Sequence, residues 1–123
     1  MKTPLPVFYV ASGGFLGTVS RYIVSACLYS PIDIFFVNVI GSFLLGLLIY
    51  YFEYAGSSSS NLKLFLGIGF MGSFTTFSTF IMQTVTMSSL SAMANVAGNV
   101  GIALLAVYIA RAGTVFYQKK RWL

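Results

Sequence analysis

Four long apolar stretches, each bounded by a short polar break, leave this chain little choice of solvent. A helix needs about 20 mainly apolar residues to cross the hydrocarbon core of a bilayer. The stretches meet that length at residues 5–28, 34–54, 62–86 and 92–116. With 58% hydrophobic and 7% charged residues, a 123-residue chain carries more Leu, Ile, Val, Phe and Met than a soluble domain of that size hides from water. Lipid accepts that load. The expected fold class is an all-α membrane protein with four transmembrane helices, a single transmembrane domain over residues 1–123.

The breaks carry helix-end chemistry. In Tyr29-Ser30-Pro31-Ile32-Asp33, Pro31 suits a helix start and Asp33 the positive end of its dipole. Tyr50, Tyr51, Phe52 and Tyr54 form an aromatic cluster suited to a membrane interface. Gly56 and Ser57 to Ser60 read as a polar loop, Met87 to Ser91 as a short turn, and Lys119-Lys120-Arg121-Trp122 as a tail anchor. The first apolar run follows Met1-Lys2 but is too long for a signal core and contains Arg21, so it reads as a span.

Charge placement sets the expected orientation. Four spans put both termini and the Gly56 to Asn61 loop on one side, which carries Lys2, Lys63, Lys119, Lys120 and Arg121. The opposite loops, around Pro31 and Ser88, carry no Lys or Arg. Leaving out Arg21 and Arg111, which lie within spans, the bias is five to none, so a multi-pass inner-membrane protein with both termini cytoplasmic is expected. The net charge of +5 sits at the ends of apolar runs, which fits a lipid bilayer with anionic headgroups and offers nucleic acid no basic face. A lone cysteine, Cys27, allows no intrachain disulfide, and histidine is absent.

The third span is unusual inside. Gly67, Gly69 and Gly72 precede Ser73-Phe74-Thr75-Thr76-Phe77-Ser78-Thr79-Phe80, a weak helix core. Backbone groups released inside a membrane must face protein or a water-filled cavity. A break near Gly72 to Thr76 is expected, lining something polar; the alternative is a continuous Gly/Ser/Thr packing helix. Small residues at close-packing spacing, namely Gly13 and Gly17, Ser42 and Gly46, and Gly98 with Gly101, let backbones approach. Four short spans enclose little alone, so a dimer or larger assembly is expected.

Polar groups within the spans narrow the function. Arg21 lies well inside the first span and Arg111 some way into the last, where a charge faces a cavity or partner unless it snorkels to the headgroups. Both acids, Asp33 and Glu53, are near span ends, so Arg21 has no mid-span carboxylate to pair with. That fits an anion path better than a cation or proton carrier. Asn38, Asn95, Asn99 and Gln83 can donate to an anion or bond a neighbouring helix. Thr75, Thr76, Ser78 and Thr79 add hydroxyls, interleaved with Phe74, Phe77 and Phe80. Those rings either pack or turn their positive edges toward an anion. No nucleophile stands with a plausible base, and no Walker-type loop or metal-spacing motif occurs, so no enzyme is expected.

Three stretches carry a resemblance: Gly13-Gly14-Phe15-Leu16-Gly17 with Arg21-Tyr22, Val37-Asn38 with Gly41-Ser42-Phe43-Leu44-Leu45-Gly46, and the run from Gly69 to Phe80. In that order, they resemble the small bacterial fluoride channels called Fluc, or CrcB-type proteins. The resemblance implies a broken third helix and an antiparallel dimer with two fluoride pores. It assigns pore lining to Asn38, Phe77 and Phe80, a polar track to Ser78 and Thr79, and a vestibule position to Arg21. It also assigns a structural sodium ion at the dimer interface to the backbone carbonyls of Gly72 and Thr75. The chain departs from the pattern at Asp33-Ile34, where many relatives have Gly-Thr, at Gln83, where Glu is common, and at Asn99, where Ser is usual.

The expected function is a passive, fluoride-selective channel. Fluoride that enters as HF and dissociates in the cytoplasm would leave down its gradient, its hydration replaced by donors that hold it weakly enough for exit. The alternatives are a four-span cation or multidrug exchanger, which wants a mid-membrane carboxylate, and a non-conducting partner subunit. Because an antiparallel dimer needs one subunit facing each way, the five-to-none charge bias points to a heterodimer with a related chain of reversed bias. Such a partner could supply the groups missing here; a homodimer through dual insertion is the alternative.

Overall fold

The computed structural model describes residues 4–54 and 59–121. Lys2, the loop residues Gly56 to Ser58, the Arg121 side chain and Trp122, all used in the orientation and anchoring arguments, lie outside the described residues. Helix α1 spans Leu5–Cys27 and α2 spans Ile32–Tyr54. The third span divides into α3, residues 60–74, and α4, Phe77–Val85; α5 spans Ser89–Arg121. Among the described residues, four stretches are long and apolar enough to cross a membrane, with the divided third span, Ser60–Val85, counted as one.

Local chemistry accounts for the boundaries. Pro31 sits just before α2, and its carbonyl accepts from Phe35 N at 3.3 Å, the place where a missing N–H is harmless. Ser59 caps α3 by accepting from Leu62 N at 3.3 Å. Within α3, Lys63–Met71 is wound as a π-helix before Gly72–Phe74 returns to α geometry. Helix α5 starts earlier and ends later than the apolar window at 92–116. Ser88 starts it, its carbonyl accepting from Ala92 N at 2.8 Å, and no Gly or Pro stops it after Phe116. Hydropathy marks the part that lies in lipid, whereas helix propensity and caps mark the helix.

The break falls at Thr75 and Thr76, and the continuous-helix alternative is overturned. Both residues are extended, with φ/ψ of −75°/157° and −148°/122°. Each closes one helix end. Thr75 Oγ1 donates to the Met71 carbonyl at 2.9 Å, finishing α3, and Thr76 Oγ1 accepts from Thr79 N at 3.3 Å, starting α4. Two adjacent β-branched residues tolerate the extended conformation, and hydroxyls at those positions satisfy the groups it releases.

Helix α1 packs along α3, and α2 along α5. Gly13 and Gly17 are buried in α1, where an added Cβ would strike the carbonyls of Phe65 and Phe70. From the other side, a Cβ on Gly69 would meet the Val10 carbonyl and Gly13. Between helices in lipid, contact of this closeness supplies the attraction that water supplies elsewhere. Gly46 closes α2 on Ala110 and Val107 of α5 in the same way. These glycines therefore serve packing within the chain, while Gly101 faces open space.

The core is narrow: Ile34, Val37, Met71, Phe74, Phe80, Ala106 and Ala110, with most other large apolar side chains turned outward. Two cations are placed at the aromatic end of α2. Arg111 lies 5.8 Å from the Tyr50 ring centroid and Lys63 lies 5.7 Å from that of Phe52. The aromatic cluster thus receives the positive charge of α3 and α5 at one end of the bundle.

Candidate functional site

The two-residue break leaves backbone groups that helices α3 and α4 do not use, and Asn38 answers them. Its Oδ1 accepts from Thr76 N at 2.9 Å, and its Nδ2 donates to the Thr76 carbonyl at 3.1 Å. The carboxamide pairs with one residue's N–H and C=O as a neighbouring strand would. Gly41, one turn further along α2, makes room: an added Cβ would collide with the Thr75 methyl. Asn38 is half-buried and Thr76 is 7% exposed, so little water competes for these bonds.

Hydroxyls gather around the same residue. Thr76 Oγ1 lies 3.3 Å from Ser78 Oγ and 3.1 Å from Thr79 Oγ1. Ser78 and Thr79 themselves face outward from the chain. The Phe77 and Phe80 ring centroids are 5.8 Å apart with planes tilted by 49°. Phe80 is 4% exposed and Phe77 is 74% exposed, so one ring belongs to the core and the other to the outer face. Arg21 reaches the break from α1, its Nη1 donating to the Thr75 carbonyl at 3.4 Å. Among the described residues it meets no carboxylate; a released backbone dipole takes its charge.

The polar residues of α5 join this cluster. Asn99, 5% exposed, accepts at Oδ1 from Asn38 Nδ2 at 3.3 Å and donates to Asn95 Oδ1 at 2.9 Å. Asn95 Nδ2 donates to Thr84 Oγ1 at 2.9 Å, tying α5 to α4. Gln83 lies apart from Asn38. Its Nε2 donates to Ser30 Oγ at 2.9 Å and to Asp33 Oδ1 at 3.1 Å, while its Oε1 is buried without a partner. Asp33 is 7% exposed, so the carboxylate expected at a helix end is a buried group held by an amide donor.

The family resemblance implies that the carbonyls of Gly72 and Thr75 hold a sodium ion. Thr76 N donates to Asn38, so it does not close a helical bond on the Gly72 carbonyl four residues back. Nothing lies within 4 Å of a Cβ built on Gly72, which sits on the outer face. The two oxygens differ: Gly72 is exposed, whereas Thr75 is half-buried and its oxygen already accepts from the Arg21 guanidinium, which leaves it less free for a cation.

Sequence reasoning missed Thr76 as the pivot of the site and Thr84 as the outer anchor of the amide chain. Thr76 was one hydroxyl among several, because nothing in a linear pattern shows that its backbone would be the part in use. Asn95 and Asn99, one turn apart, were the visible signal for the chain that ends on Thr84.

Residues 8–111 match the family described as CrcB-like protein, Camphor Resistance (CrcB). Similar proteins include "Fluoride-specific ion channel FluC 2" of Methanosarcina acetivorans, 40% identical over 105 residues that cover 85% of this chain and 83% of the relative. The protein of the same description from Methanosarcina barkeri is 43% identical over 105 residues, with the same two coverages. "Fluoride-specific ion channel FluC" of Idiomarina loihiensis is 40% identical over 116 residues, covering 86% of this chain and 89% of the relative. With four membrane-length helices, a divided third span and this match over most of its length, the chain belongs to the CrcB-like family.

Proposed function

We propose that this protein is a subunit of a passive fluoride-selective channel that exports cytoplasmic fluoride across the plasma membrane. The observation that carries the reading is the helix break itself: an amide, three hydroxyls, two phenyl rings and a guanidinium gathered around Thr75 and Thr76. Relatives named as fluoride-specific ion channels support it. Asn38, Ser78 and Thr79 are the donors that replace fluoride's hydration, and Phe77 and Phe80 offer positive ring edges that keep the path narrow. Arg21 raises the local anion concentration at the approach.

The outward-facing half of the site supports an assembly. Phe77, Ser78, Thr79 and Gly72 lie on the surface of one chain. Ser78 and Thr79 share the one hydroxyl of Thr76 as a partner and keep hydrogen-bonding capacity that lipid cannot meet, so a second subunit covers them. The reading is an antiparallel dimer with a sodium ion held between subunits by the carbonyls of Gly72 and Thr75. Such an ion would supply a fixed positive charge between the halves. With the Lys and Arg outside the spans on one side only, Arg21 and Arg111 being left out, this chain inserts with its termini in the cytoplasm and pairs with a related chain of reversed bias.

The test is efflux from liposomes holding the purified protein, with a partner chain where one is needed. Fluoride is expected to leave without ATP or a proton gradient, and chloride to stay. Phe77→Ile and Phe80→Ile nearly keep volume but lose the ring edge, so both are expected to cut the flux. Equal chloride and fluoride flux would defeat selectivity. Mapping a C-terminal tag in cells that express this chain alone tests the pairing: labelling equally from both sides, with robust efflux, would establish a homodimer instead.

A further inference from the structure

The hydrogen bonds of the three asparagines run in one direction. Thr76 N donates to Asn38 Oδ1, Asn38 Nδ2 to Asn99 Oδ1, Asn99 Nδ2 to Asn95 Oδ1, Asn95 Nδ2 to Thr84 Oγ1, and Thr84 Oγ1 to the Phe80 carbonyl at 2.7 Å. Both ends enforce that polarity. A backbone N–H can only donate and a backbone carbonyl can only accept, so no carboxamide between them can turn over without breaking a bond at each side. Aligned in this way, each amide polarises the next.

The donors are also fully engaged where they matter. A carboxamide nitrogen has two N–H groups. Those of Asn38 go to the Thr76 carbonyl at 3.1 Å and to Asn99 Oδ1 at 3.3 Å. Those of Asn99 go to Asn95 Oδ1 at 2.9 Å and to the Asn95 carbonyl at 3.1 Å. Asn38 therefore has no N–H waiting for an anion. To meet one it must release an acceptor, and the two differ. Releasing Thr76 would orphan a backbone carbonyl in the break, whereas the bond to Asn99 is the longer and joins two side chains.

We propose that Asn99 is a positioning residue for fluoride passage: its Oδ1 holds the Asn38 N–H in the ion-free state and is the group fluoride displaces. This rests on the reading that Asn38 meets fluoride. Asn99 cannot swing its amide over to greet the ion, because both of its own N–H groups are held by Asn95. Its Oδ1 stays as a standing competitor, and every fluoride ion that accepts the Asn38 hydrogen bond must yield it to Asn99 again on leaving. The competition keeps binding weak and exit fast, which a conducting site requires.

The experiment is fluoride efflux from liposomes over a range of internal fluoride, comparing half-saturating concentration and maximal rate. Asn99→Leu removes the competitor, so half-saturation is expected to fall about fivefold, the factor that one neutral hydrogen bond is worth. Maximal rate is expected to fall with it, as exit slows. Asn99→Asp keeps the acceptor, strengthens it with charge and repels the ion, so half-saturation is expected to rise by at least as much. A purely structural Asn99 would lower the rate in both variants without moving half-saturation in opposite directions, and that result would overturn the proposal. Asn99→Ser, whose hydroxyl is too short to reach Asn38, is the substitute for a leucine variant that does not fold, with the same expected direction. If Asn38→Ala shifts half-saturation while the Asn99 variants do not, the Asn99 proposal fails and the channel reading stands. Absence of fluoride flux from the unaltered protein, alone and together with its partner chain, would remove the channel reading and this proposal with it.

Discussion

Replacing Asn38 with leucine bears directly on the helix break. Leucine is a better helix former than asparagine and is at home in lipid. If Asn38 were an incidental polar residue, the change would be neutral or stabilising. The geometry gives the opposite sign. Asn38 makes three hydrogen bonds through its side chain, two to Thr76 and one to Asn99. Interhelical hydrogen bonds in membranes average about 0.6 kcal/mol, so three set a floor of about 2 kcal/mol. The variant also leaves the Thr76 N–H and C=O dry, and a buried group without a partner costs about 1–3 kcal/mol, so the pair sets a ceiling of about 6 kcal/mol. Because Asn38 is only half-buried, relaxation of the break offsets part of this, and about 2–4 kcal/mol is expected. Asn38→Ala is expected to cost less, about 1–2 kcal/mol, since the vacated space admits a water that rejoins the Thr76 groups. The assay is reversible unfolding in mixed micelles at fixed protein concentration, followed by circular dichroism. A leucine variant within about 0.5 kcal/mol of the native protein, or more stable than the alanine variant, would refute the view that Asn38 holds the break.

Two further substitutions probe the frame around the site. Gly17→Ala places a methyl against the Phe70 carbonyl, so α1 and α3 must separate, and a loss of about 1–3 kcal/mol is expected in the same assay; Gly113→Ala, with nothing within 4 Å, is expected to be neutral or to gain up to about 1 kcal/mol. A Gly17 variant as stable as the Gly113 variant would mean that the seam is looser than described. Thr76→Val removes the hydroxyl that caps α4 and is expected to cost about 1 kcal/mol, with Thr76→Ser close to native. A larger loss in the Ser variant than in the Val variant would assign the role of Thr76 to its methyl group instead.

The divided third span is also where the protein's local rules give way to its site. Elsewhere each helix satisfies its own backbone, as a membrane demands. At Thr75 and Thr76 the ladder stops, and groups from three other helices take over: Arg21 from α1, Asn38 from α2, and Asn99 of α5 behind Asn38. Breaks of this kind in membranes occur where backbone is buried in protein or lines a cavity. Asp33 and Gln83 form a separate polar pair near the start of α2, in a chain whose relatives are named as fluoride-specific ion channels. The buried Gln83 Oε1 without a partner marks this as the least satisfied part of the described residues.

Much of this was legible in the sequence because the bilayer makes few demands and makes them locally. Length and apolarity of a run decide whether it spans, so the four spans could be read without tertiary information. The break was legible in part, since Gly72 and the Thr75-Thr76 pair weaken any helix, yet the same residues also suit a continuous packing helix. What separated those outcomes was Asn38, distant in sequence, whose amide stands where the Thr76 N–H and C=O need partners. The likeness in composition between Phe77 and Phe80 gave no hint that one ring would be buried and the other exposed, because that depends on which face of α4 meets the bundle. Likewise the glycines announced close approach but not the neighbour, and Gly13 and Gly17 met α3 of the same chain. A run of residues determines what a helix can tolerate; only the packing of one helix on another decides which of its groups are left in need of a partner, and which side chain supplies it.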